Sequence, residues 1–478
     1  MNSLRRNDHF VMLMMFQTDE YKEERGFTCM KKSMYSVLSL TMAVSLMLSG
    51  CSKSDNQTSP SPTTANTASS AAPNKTVKLK IWGGIPEESG PKDVVTKWNS
   101  THPDIQVEYT RYVNDDSGNT KLDTALISNS EAPDIFFSYG ETNYNRRANA
   151  GVTFPLDDLI SKYKLNVDEI IGKDNIVPFK GKTHYLPAMK LLSSVMINQT
   201  ALEKAGEKIP AQGWTWDDYM ALAEKLHTAD QKGSFIQAPS DNMVRFAILE
   251  NKPVDSYYAA DGLSTFDSPA VKKGLEYQKA LQDKGLSVKW PEIIANKLLP
   301  PNELLTGKAA MIFGGTHLLR NVKDTKSFPH DFKTIFAPVP QLEKGGKVNT
   351  AGFNDFMSIN NTSTNKDEAF QFISWYITEG NLLMIPGGRL PSSKKIDVDK
   401  VAELMIGDAA NLINVDSLKA LIKGDYTFPV QTISTALPEM TKIINEETEK
   451  YVMGVQPLEK AIQNMKTRAD QAIKAEKK

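Results

Sequence analysis

Residues 77–109 read VKLKIWGGIPEESGPKDVVTKWNSTHPDIQVEY, and this stretch decides the fold class. Apolar and polar residues alternate from Val77 to Trp82, a pattern that predicts a β-strand. Gly90 and Pro91 then favour the start of a helix, because proline suits the first helical turn. A second strand is predicted from Ile105 to Tyr109. Strand, helix and strand within about thirty residues indicate a βαβ unit and therefore a parallel sheet.

Later segments extend this pattern. Residues 132–139, APDIFFSY, predict another buried strand that ends in a polar loop. Residues 214–226 predict a helix in which Thr215 caps the N-terminus and the apolar residues share one face. Residues 367–378 predict a further helix that ends before Gly380. The sequence shows no internal repeat, and the body is predicted to be α/β with more helix than strand.

The composition is that of an ordinary soluble protein of two or three domains. The chain has 478 residues, of which 40% are hydrophobic, and its 56 Lys and Arg nearly balance its 57 Asp and Glu. This balance argues against nucleic-acid binding through phosphate neutralisation. Cys29 and Cys51 both lie near the N-terminus. The body is therefore predicted to lack a disulfide framework and any cysteine-rich metal site.

The N-terminal region carries the pattern of an export signal. Two lysines follow Met30, and an apolar run of about a dozen residues leads to the small residues before Cys51. The run is too short to span a bilayer as a helix, which disfavours a single-pass anchor. Residues 30–50 are therefore predicted to be a signal peptide. Translation is predicted to start at Met30, which makes residues 1–29 a gene-start artefact.

Residues 48–51, LSGC, resemble the bacterial lipobox, in which the signal is cut before a cysteine that carries lipid. Two or three acyl chains hold a protein firmly on a membrane, whereas one chain binds only marginally. Residues 52–76 are rich in Ser, Thr, Pro, Ala and Asn and contain no Leu, Ile, Val or aromatic residue. We predict a lipidated Cys51 and a flexible linker over residues 51–76, with a modified, mucin-like stalk as the alternative.

The patterns of familiar catalytic sites are missing from the sequence of the body. The histidines beyond residue 100 form no His-x-x-x-His pair, and Gly307-Lys308 lacks the upstream glycine of a phosphate-binding loop. No Gly-x-Ser-x-Gly motif is present. Glu87-Glu88 and Asp217-Asp218 could supply the two carboxylates of glycoside hydrolysis, but adjacent side chains rarely face one bond. No metal and no cofactor are predicted.

A set of short motifs runs through most of the body. The first half contains Ile81-Trp-Gly-Gly84, Ala132-Pro-Asp-Ile-Phe-Phe137, Tyr185-Leu-Pro187 and Leu202-Glu-Lys-Ala-Gly206. The second half contains Leu305-Thr-Gly-Lys-Ala-Ala-Met311, Ala337-Pro-Val-Pro340 and Gly387-Gly-Arg-Leu-Pro391. In order and spacing these motifs resemble those of extracellular solute-binding protein family 1, the sugar-type substrate-binding lipoproteins of ABC importers.

The resemblance implies an α/β, two-lobed, periplasmic-binding-protein-like fold of type II, with hinge crossovers and an interlobe cleft. Residues 77–188 and 339–390 would form the first lobe, and residues 189–338 and 391–478 the second. The hinge crossings are expected near residues 186–197, 337–340 and 389–391. Closure of the lobes around the ligand would give the state that an importer recognises.

Nine residues are candidates for ligand binding, because they lie at expected contact loops or beside expected strands and hinges. They are Gly84, Glu87, Tyr139, Glu141, Trp290, His317, Asn354, Asp355 and Arg389. Carboxylates can accept hydroxyl hydrogen bonds, and Arg389 can bind a hydroxyl or a carboxylate or pair with an acid. A solvated loop is the alternative for Glu87, and packing is the alternative for Trp290. Relatives often place an aromatic side chain near His317, so a histidine there weakens the case for an ordinary oligosaccharide platform.

The predicted function is that of a lipid-anchored, non-enzymatic protein that captures a carbohydrate, expected to be an oligosaccharide, and delivers it to ABC permease subunits. It is expected to be a monomer, to bind no nucleic acid, and to sit on the outer face of the cell membrane as a Gram-positive surface lipoprotein. Two alternatives stay open: a secreted lipoprotein enzyme that acts on polysaccharide, and a binding protein that feeds a sensor kinase. The sequence does not decide between neutral and acidic sugars.

Overall fold

A computed structural model of the chain describes residues 76–128, 131–394 and 396–477. The strands are β1 Val77–Gly83, β2 Ile105–Arg111, β3 Ile135–Ser138, β4 Leu186–Leu191, β5 Ser193–Asn198, β6 Met311–Gly315, β7 Thr334–Ala337, β8 Gly352–Ile359 and β9 Leu390–Pro391. Short 3-10 helices lie at Glu87–Ser89, Lys173–Asn175, Thr316–Leu318 and Gly380–Gly387.

The α-helices outnumber the strands in these ranges. They are α1 Pro91–Thr101, α2 Asp116–Leu126, α3 Glu141–Asn149, α4 Asp157–Lys162, α5 Val167–Ile170, α6 Gln199–Lys204, α7 Trp216–Leu226, α8 Met243–Asn251, α9 Pro269–Asp283, α10 Trp290–Ala295, α11 Pro300–Leu305, α12 Leu319–Lys323, α13 Lys366–Thr378, α14 Val398–Ile406, α15 Val415–Lys423, α16 Leu437–Val452 and α17 Leu458–Glu476.

The first sheet grows from the βαβ unit at residues 77–109. β1 pairs in parallel with β2 on one side and with β3 on the other. The connecting helix α1 begins at Pro91 and buries Val94 and Trp98 against the sheet. β8, β4 and β9 then extend the sheet by antiparallel pairing, in the order β2-β1-β3-β8-β4-β9. The predicted parallel unit is confirmed, and the rest of the sheet is antiparallel.

The second sheet has three antiparallel strands in the order β6-β5-β7. It packs with α7, whose start shows why the predicted helix forms there. Thr215 accepts a hydrogen bond from the Asp218 backbone N–H, and the Asp218 carboxylate accepts one from the Thr215 backbone, which completes a capping box. The buried face of α7 includes Trp216, whose indole N–H donates to Glu250. The helix predicted at residues 367–378 is also confirmed, as α13.

Two lobes follow from the two sheets. We call the first lobe the elements packed on the six-stranded sheet, whose core runs from Leu79 to Met189 and from Phe356 to Met384. The second lobe comprises the elements packed on the three-stranded sheet, with core residues from Leu192 onward.

The chain passes between the sheets with little intervening structure. A single residue, Leu192, separates β4 of the first sheet from β5 of the second. Its backbone carbonyl accepts from the Thr316 N–H at 2.9 Å. The Asn349 side chain accepts from the Ser193 N–H at 2.9 Å and donates to the Ser193 carbonyl at 3.0 Å. Asn349 therefore ties the outgoing strand to the segment that returns toward β8.

The packing around Val339 bears on where the chain returns to the first lobe. Val339 packs in the second-lobe core with Val195 and Trp214, and Gln341 exchanges backbone hydrogen bonds with the chain around Trp214. We therefore propose that the return crossing lies at residues 349–352, later than the expected 337–340. The third crossing coincides with β9, where Leu390 pairs with β4 of the first sheet and its side chain packs in the second-lobe core.

The N-terminal predictions lie outside the described residues. They concern the start at Met30, the signal peptide at residues 30–50, the lipidated Cys51 and the linker as far as residue 75. Within the described ranges, none of the helices combines the length and the apolar character that crossing a bilayer requires.

Candidate functional site

Three adjoining cavities form a cleft between the two lobes. The α12 cavity, of about 490 Å³, lies between the 3-10 turn at Glu87–Ser89 and α12. The β6 cavity, of about 440 Å³, lies against β6 and the start of α11. The α3 cavity, of about 250 Å³, lies between the start of α3 and α8. Side chains shared by neighbouring cavities join them, namely Arg320 and Asn321 at one junction and Ser193, Asp241, Phe313 and Ala351 at the other.

Two carboxyl groups and an arginine line the α3 cavity. Glu141 is the first residue of α3 in the first lobe, while Asp241 and Arg245 lie at the start of α8 in the second. Burial raises the pKa of Glu141 to about 7, against the opposing charge of Arg245 and a hydrogen bond from the Gln431 backbone. Burial likewise raises the pKa of Asp241 to about 7, again opposed by Arg245. Both lobes thus present polar groups to one space.

Aromatic rings form the apolar part of the same space. Phe246 and Phe313 stack with their ring centroids 4.3 Å apart, and both line the α3 cavity. Phe353, which is half-buried, and Tyr257 complete the aromatic lining. Burial raises the pKa of Tyr257, and the charge of the neighbouring Arg245 opposes this rise, so the ring lies beside a charged group of the site. Hydrophobic surface with a few convergent polar groups is the usual character of a small-molecule site.

The other end of the cleft contains an arginine and a histidine, both half-buried. Arg320 of α12 is half-buried and lines both the α12 and the β6 cavities. His317 lines the β6 cavity, and its Nδ1 has no hydrogen-bond partner among the described residues. Burial, reinforced by the charges of Arg389 and Arg320, lowers the pKa of His317 to about 3. The imidazole is therefore neutral and can either donate or accept.

Asp355 and Arg389 form a buried ion pair at the hinge. The Arg389 Nε donates to the Asp355 Oδ2 at 2.9 Å, and both side chains are almost completely enclosed. The second carboxylate oxygen and the Arg389 Nη1 find no partner within the described part of the chain. Asp355 also has a positive φ of 52°, a conformation that Asp and Asn tolerate better than most residues. Of the alternatives predicted for Arg389, the structure therefore contains the pairing with an acidic residue.

The loop after β1 contributes differently from the sequence expectation. Glu87 is exposed and does not line any of the three cavities, while its neighbour Glu88 lines the α12 cavity. The prediction of Glu87 as a contact residue is therefore corrected, because the 3-10 turn directs the adjacent residue to the cleft. Gly84 donates its backbone N–H to the Tyr139 hydroxyl at 2.7 Å. A Cβ at Gly84 would lie only 2.8 Å from the Tyr139 ring, so this close approach requires glycine. The hydrogen bond and the close contact together fix the loop against Tyr139.

Trp290 is not in the cleft. Its side chain is 0% exposed and packs in the second-lobe core with Ile293 and Leu304. α10 begins at Trp290, and the first turn of the helix turns the indole inward. The prediction of Trp290 as a ligand contact is therefore wrong for this structure. Of the predicted residues, Glu141, Asn354 and His317 line the cleft cavities directly.

Sequence reasoning missed several cleft residues. Asp241 and Arg245 come from the start of a helix that carries none of the quoted motifs, and Gln431 comes from the chain before α16. Arg320 follows His317 by one helical turn, so the His317 motif could have pointed to it. Among the residues described, no three His, Cys, Asp or Glu side chains are grouped so as to hold a metal ion.

Two mixed α/β lobes, joined where β4 continues through Leu192 into β5 and separated by a polar cleft, define the class of two-lobed solute-binding proteins. Residues 83–382 match the bacterial extracellular solute-binding protein family, so the chain belongs to that family. The family predicted from the motifs is confirmed. Its extracellular character agrees with the export signal that the sequence predicts.

One curated relative is the fructooligosaccharide ABC transporter substrate-binding protein FusA of Streptococcus pneumoniae, which is 25% identical over 215 residues. This match covers 38% of the present chain and 39% of FusA, so the chain spans well under two thirds of the length of that relative.

Solved structures share the fold over most of the chain. An ABC substrate-binding protein from Listeria monocytogenes, in complex with cycloalternan, has a TM-score of 0.69 and 21% identity, covering 84% of this chain and 99% of its own. UgpB from Mycobacterium tuberculosis, in complex with glycerophosphocholine, has a TM-score of 0.66 and 17% identity, covering 84% and 100%. The predicted two-lobed type II fold is confirmed.

Proposed function

We propose that this protein is the lipid-anchored binding subunit of an ATP-driven importer and that it captures a carbohydrate in the interlobe cleft. The observation that carries the proposal is the α3 cavity, where groups from both lobes converge. Glu141 and Asn354 come from the first lobe, and Asp241, Arg245 and Tyr257 come from the second. A ligand held by both walls stabilises the closed arrangement of the lobes, which is the form that a permease can distinguish.

The chemistry of this lining suits a sugar. Carboxylate and amide oxygens accept hydrogen bonds from hydroxyl groups, and the guanidinium of Arg245 donates to them. The rings of Phe246, Phe313 and Tyr257 offer apolar surface to the C–H faces of a pyranose or furanose. The α12 and β6 cavities continue the cleft beyond the α3 cavity, which gives room for more than one sugar unit.

The ligands named for the relatives support a carbohydrate ligand, and they also indicate which compounds a binding screen should contain. FusA is named for fructooligosaccharides and the Listeria protein was solved with cycloalternan, whereas UgpB was solved with glycerophosphocholine. A screen should therefore include solutes that are not sugars.

Thermal unfolding of a soluble form that begins at Ser52 tests the binding function. A ligand at about one hundred times its Kd stabilises the folded state by about 2.7 kcal/mol, which raises the Tm by at least about a degree or two. We expect one carbohydrate of a panel of sugars and oligosaccharides to raise the Tm and to be recovered unchanged. If no sugar raises the Tm and another solute does, the carbohydrate assignment is overturned.

The same incubation separates binding from catalysis. An enzyme that acts on polysaccharide would consume the responding ligand, and its turnover would be abolished in Glu141→Gln. A binding protein returns the ligand intact, and the substitution then changes affinity alone. Consumption of the ligand by the parent protein would overturn the non-enzymatic assignment.

The membrane anchor needs its own experiment. We propose that lipid on Cys51 retains the protein at the cell surface, supported by the lipobox at residues 48–51 and by the extracellular family. Cys51→Ala should move the protein from the membrane fraction to the medium, measured by fractionation and immunoblotting. Retention of the variant on the membrane would contradict the anchor.

A further inference from the structure

The guanidinium of Arg320 lies in the cleft without a close ion-pair partner among the described residues. It lies at the junction of the α12 and β6 cavities, on the second-lobe wall, and is half-buried. Among the described residues it has no ion-pair partner within 4.0 Å, whereas Arg389 is paired with Asp355. A buried or half-buried arginine is normally paired or hydrogen-bonded, because removing its charge from water is costly.

The surroundings of Arg320 add positive charge. Burial is the main cause that lowers the pKa of Arg320, and the charges of Arg389 and Arg111 lower it further. Lys323, on the same helix, lines the α12 cavity and is also half-buried. His317 is neutral, so it neither adds to this positive charge nor offsets it.

The acidic groups nearby do not cancel this charge. Glu88, Asp93 and Asp324 line the α12 cavity but are exposed to solvent, where their attraction is strongly screened. Asp355 already accepts from Arg389. Asp241 is the one carboxyl group that lines the β6 cavity within the described residues, and it lies beside Arg245 in the α3 cavity.

Polar atoms without partners lie around the same point. The Nη1 of Arg389, whose residue is 7% exposed, and the Nδ1 of His317 make no hydrogen bond in the described part of the molecule. Both are nitrogen atoms that can donate, and His317 lines the β6 cavity together with Arg320. Two acceptor atoms, the Oδ1 of Asn321 at the same junction and the Oδ1 of Asp355, also have no partner in the described part of the molecule. The unpaired positive charge of Arg320 is therefore what favours a negatively charged oxygen group here.

We infer that the Arg320 end of the cleft binds an anionic group of the ligand, and that the ligand is an acidic saccharide whose carboxylate pairs with Arg320. This inference rests on the proposed function, since it names the class of sugar that the same cleft holds. The sugar hydroxyls then lie toward Glu141, Asp241 and Tyr257, and the carboxylate lies toward α12. Sulfate and phosphate esters share the anionic oxygen chemistry and are separate arms of the test.

A structural role for Arg320 makes a different prediction. The charge of Glu88, in the first lobe, acts on Arg320 in the second, so the two side chains could hold the lobes together on closure. Such a contact would serve every ligand equally. Loss of Glu88 would then weaken neutral and acidic ligands alike, as loss of Arg320 would.

The experiment measures Kd by titration calorimetry for the full chain in detergent. The probes are oligogalacturonates and oligomannuronates, their methyl esters, the matching neutral oligosaccharides, and sugars with a sulfate or phosphate ester. The variants are Arg320→Gln, Arg320→Lys and Glu88→Gln. Arg146→Gln is the matched control, because Arg146 lies on α3 and its side chain is paired with Asp123 at 2.7 Å.

We expect at least one uronate oligomer to bind about tenfold or more tightly than its methyl ester. Arg320→Gln should bring that ratio close to one, Arg320→Lys should keep part of it, and Glu88→Gln and Arg146→Gln should preserve it. If only a sulfated or phosphorylated sugar shows this behaviour, the assignment of a carboxylate is overturned, while the assignment of an anionic group to the Arg320 end stands.

Other outcomes overturn the inference in distinguishable ways. If neutral oligosaccharides bind and no acidic form is favoured, the inference fails and the proposed function stands. If Arg320→Gln and Glu88→Gln weaken acid and ester equally, Arg320 holds the lobes together and does not bind an anion. If no saccharide binds the parent chain, the proposed function and this inference fail together.

Discussion

Two enclosed carboxylates of this molecule have opposite surroundings. Glu447, in the α16–α17 hairpin, accepts from Lys450 and Arg468 at 2.7 Å, from Gln456 at 2.9 Å and from Asn464 at 3.2 Å. Asp355, at the hinge, accepts a single hydrogen bond at one oxygen from Arg389, and its other oxygen lacks a partner among the described residues.

The difference appears in the acidities of the two groups. Burial acts to raise the pKa of Glu447, but the donors around it lower that pKa to about 2. Burial raises the pKa of Asp355 above its usual range, and Arg389 opposes this only in part. The fully hydrogen-bonded carboxylate of Glu447 links two helices of a hairpin. The carboxylate of Asp355, at the hinge, still has an oxygen that could accept a hydrogen bond. The cleft carboxyls Glu141 and Asp241 resemble Asp355 in this respect.

Asp355→Asn should have the largest effect on stability. The change leaves the Arg389 charge enclosed without its counter-charge, which typically costs about 3–5 kcal/mol. Asn accepts the positive φ at this position, so the backbone is not the cause of any loss. The free energy of unfolding is measured by urea titration. The control is Asp399→Asn, which removes the exposed pair with Lys423 and should have little effect, because solvent screens that pair. Equal losses in the two variants would contradict the enclosed pair.

Glu447→Gln should cost less, because its cationic partners stay partly exposed and can return to water. We expect a loss of about 1–3 kcal/mol, in line with hydrogen bonds to charged groups. Glu439→Gln, on the solvent side of the same helix, is the matched control with little effect. The contribution of Glu447 is complete above the unfolded pKa of about 4.5 and disappears as pH falls toward about 2. Acid titration of the variant should therefore be flatter than that of the parent in this window.

Above about pH 7, where the Glu141 carboxyl is ionised, Glu141→Gln should weaken ligand binding by about tenfold, or 1.4 kcal/mol, because a charged acceptor of a hydroxyl group is replaced by a neutral one. The fold should change little, since the side chain faces a cavity. Calorimetric titration with the ligand that the thermal screen identifies measures the affinity. Glu87→Gln is the control on the exposed loop and should keep the parent Kd. A parent-like Kd in Glu141→Gln would remove Glu141 from the site.

The last prediction concerns a pH dependence of stability that arises from Glu250. Burial raises its pKa to about 8, although the Trp216 indole and the Leu342 backbone donate to it. The folded state then favours the protonated form of Glu250. The contribution of Glu250 to the free energy of unfolding is therefore fully present below the unfolded pKa of about 4.5, and it is lost as pH rises through about 8. Glu250→Gln should flatten the Tm profile between about pH 5 and 8. An unchanged slope would show that other groups cause it.

Local patterns predicted much of the fold because the relevant forces act over short stretches. Alternation in residues 77–82, proline at the start of α1 and the cap at Thr215 each concern neighbours in sequence. The antiparallel strands β8 and β9 depend instead on pairing between distant segments, which alternation does not encode. The later return crossing that we propose rests on the packing of Val339 with residues more than a hundred positions away, such as Val195 and Trp214, which a local pattern does not reveal.

The cleft was predicted only where the family motifs pass through it. Glu141 and His317 follow recognisable strands and could be placed, whereas Asp241 and Arg245 follow no such signal. Trp290 shows the reverse error, since an aromatic residue before a proline gives no indication of whether the helix turns it toward the core. Burial at these positions depends on how α8, α10 and the sheets are arranged in space.

The amide of Asn349 has a consequence for the cost of closure. It binds the backbone of Ser193 through both its oxygen and its nitrogen, and thereby couples the start of β5 to the segment that precedes β8. Coupled segments share their backbone rotations, which leaves fewer independent dihedral angles to be fixed when the cleft closes. Less conformational entropy is then lost on binding, and more of the contact free energy is retained as affinity. We therefore expect the Asn349 side chain to increase the affinity of a site whose cavities it does not line.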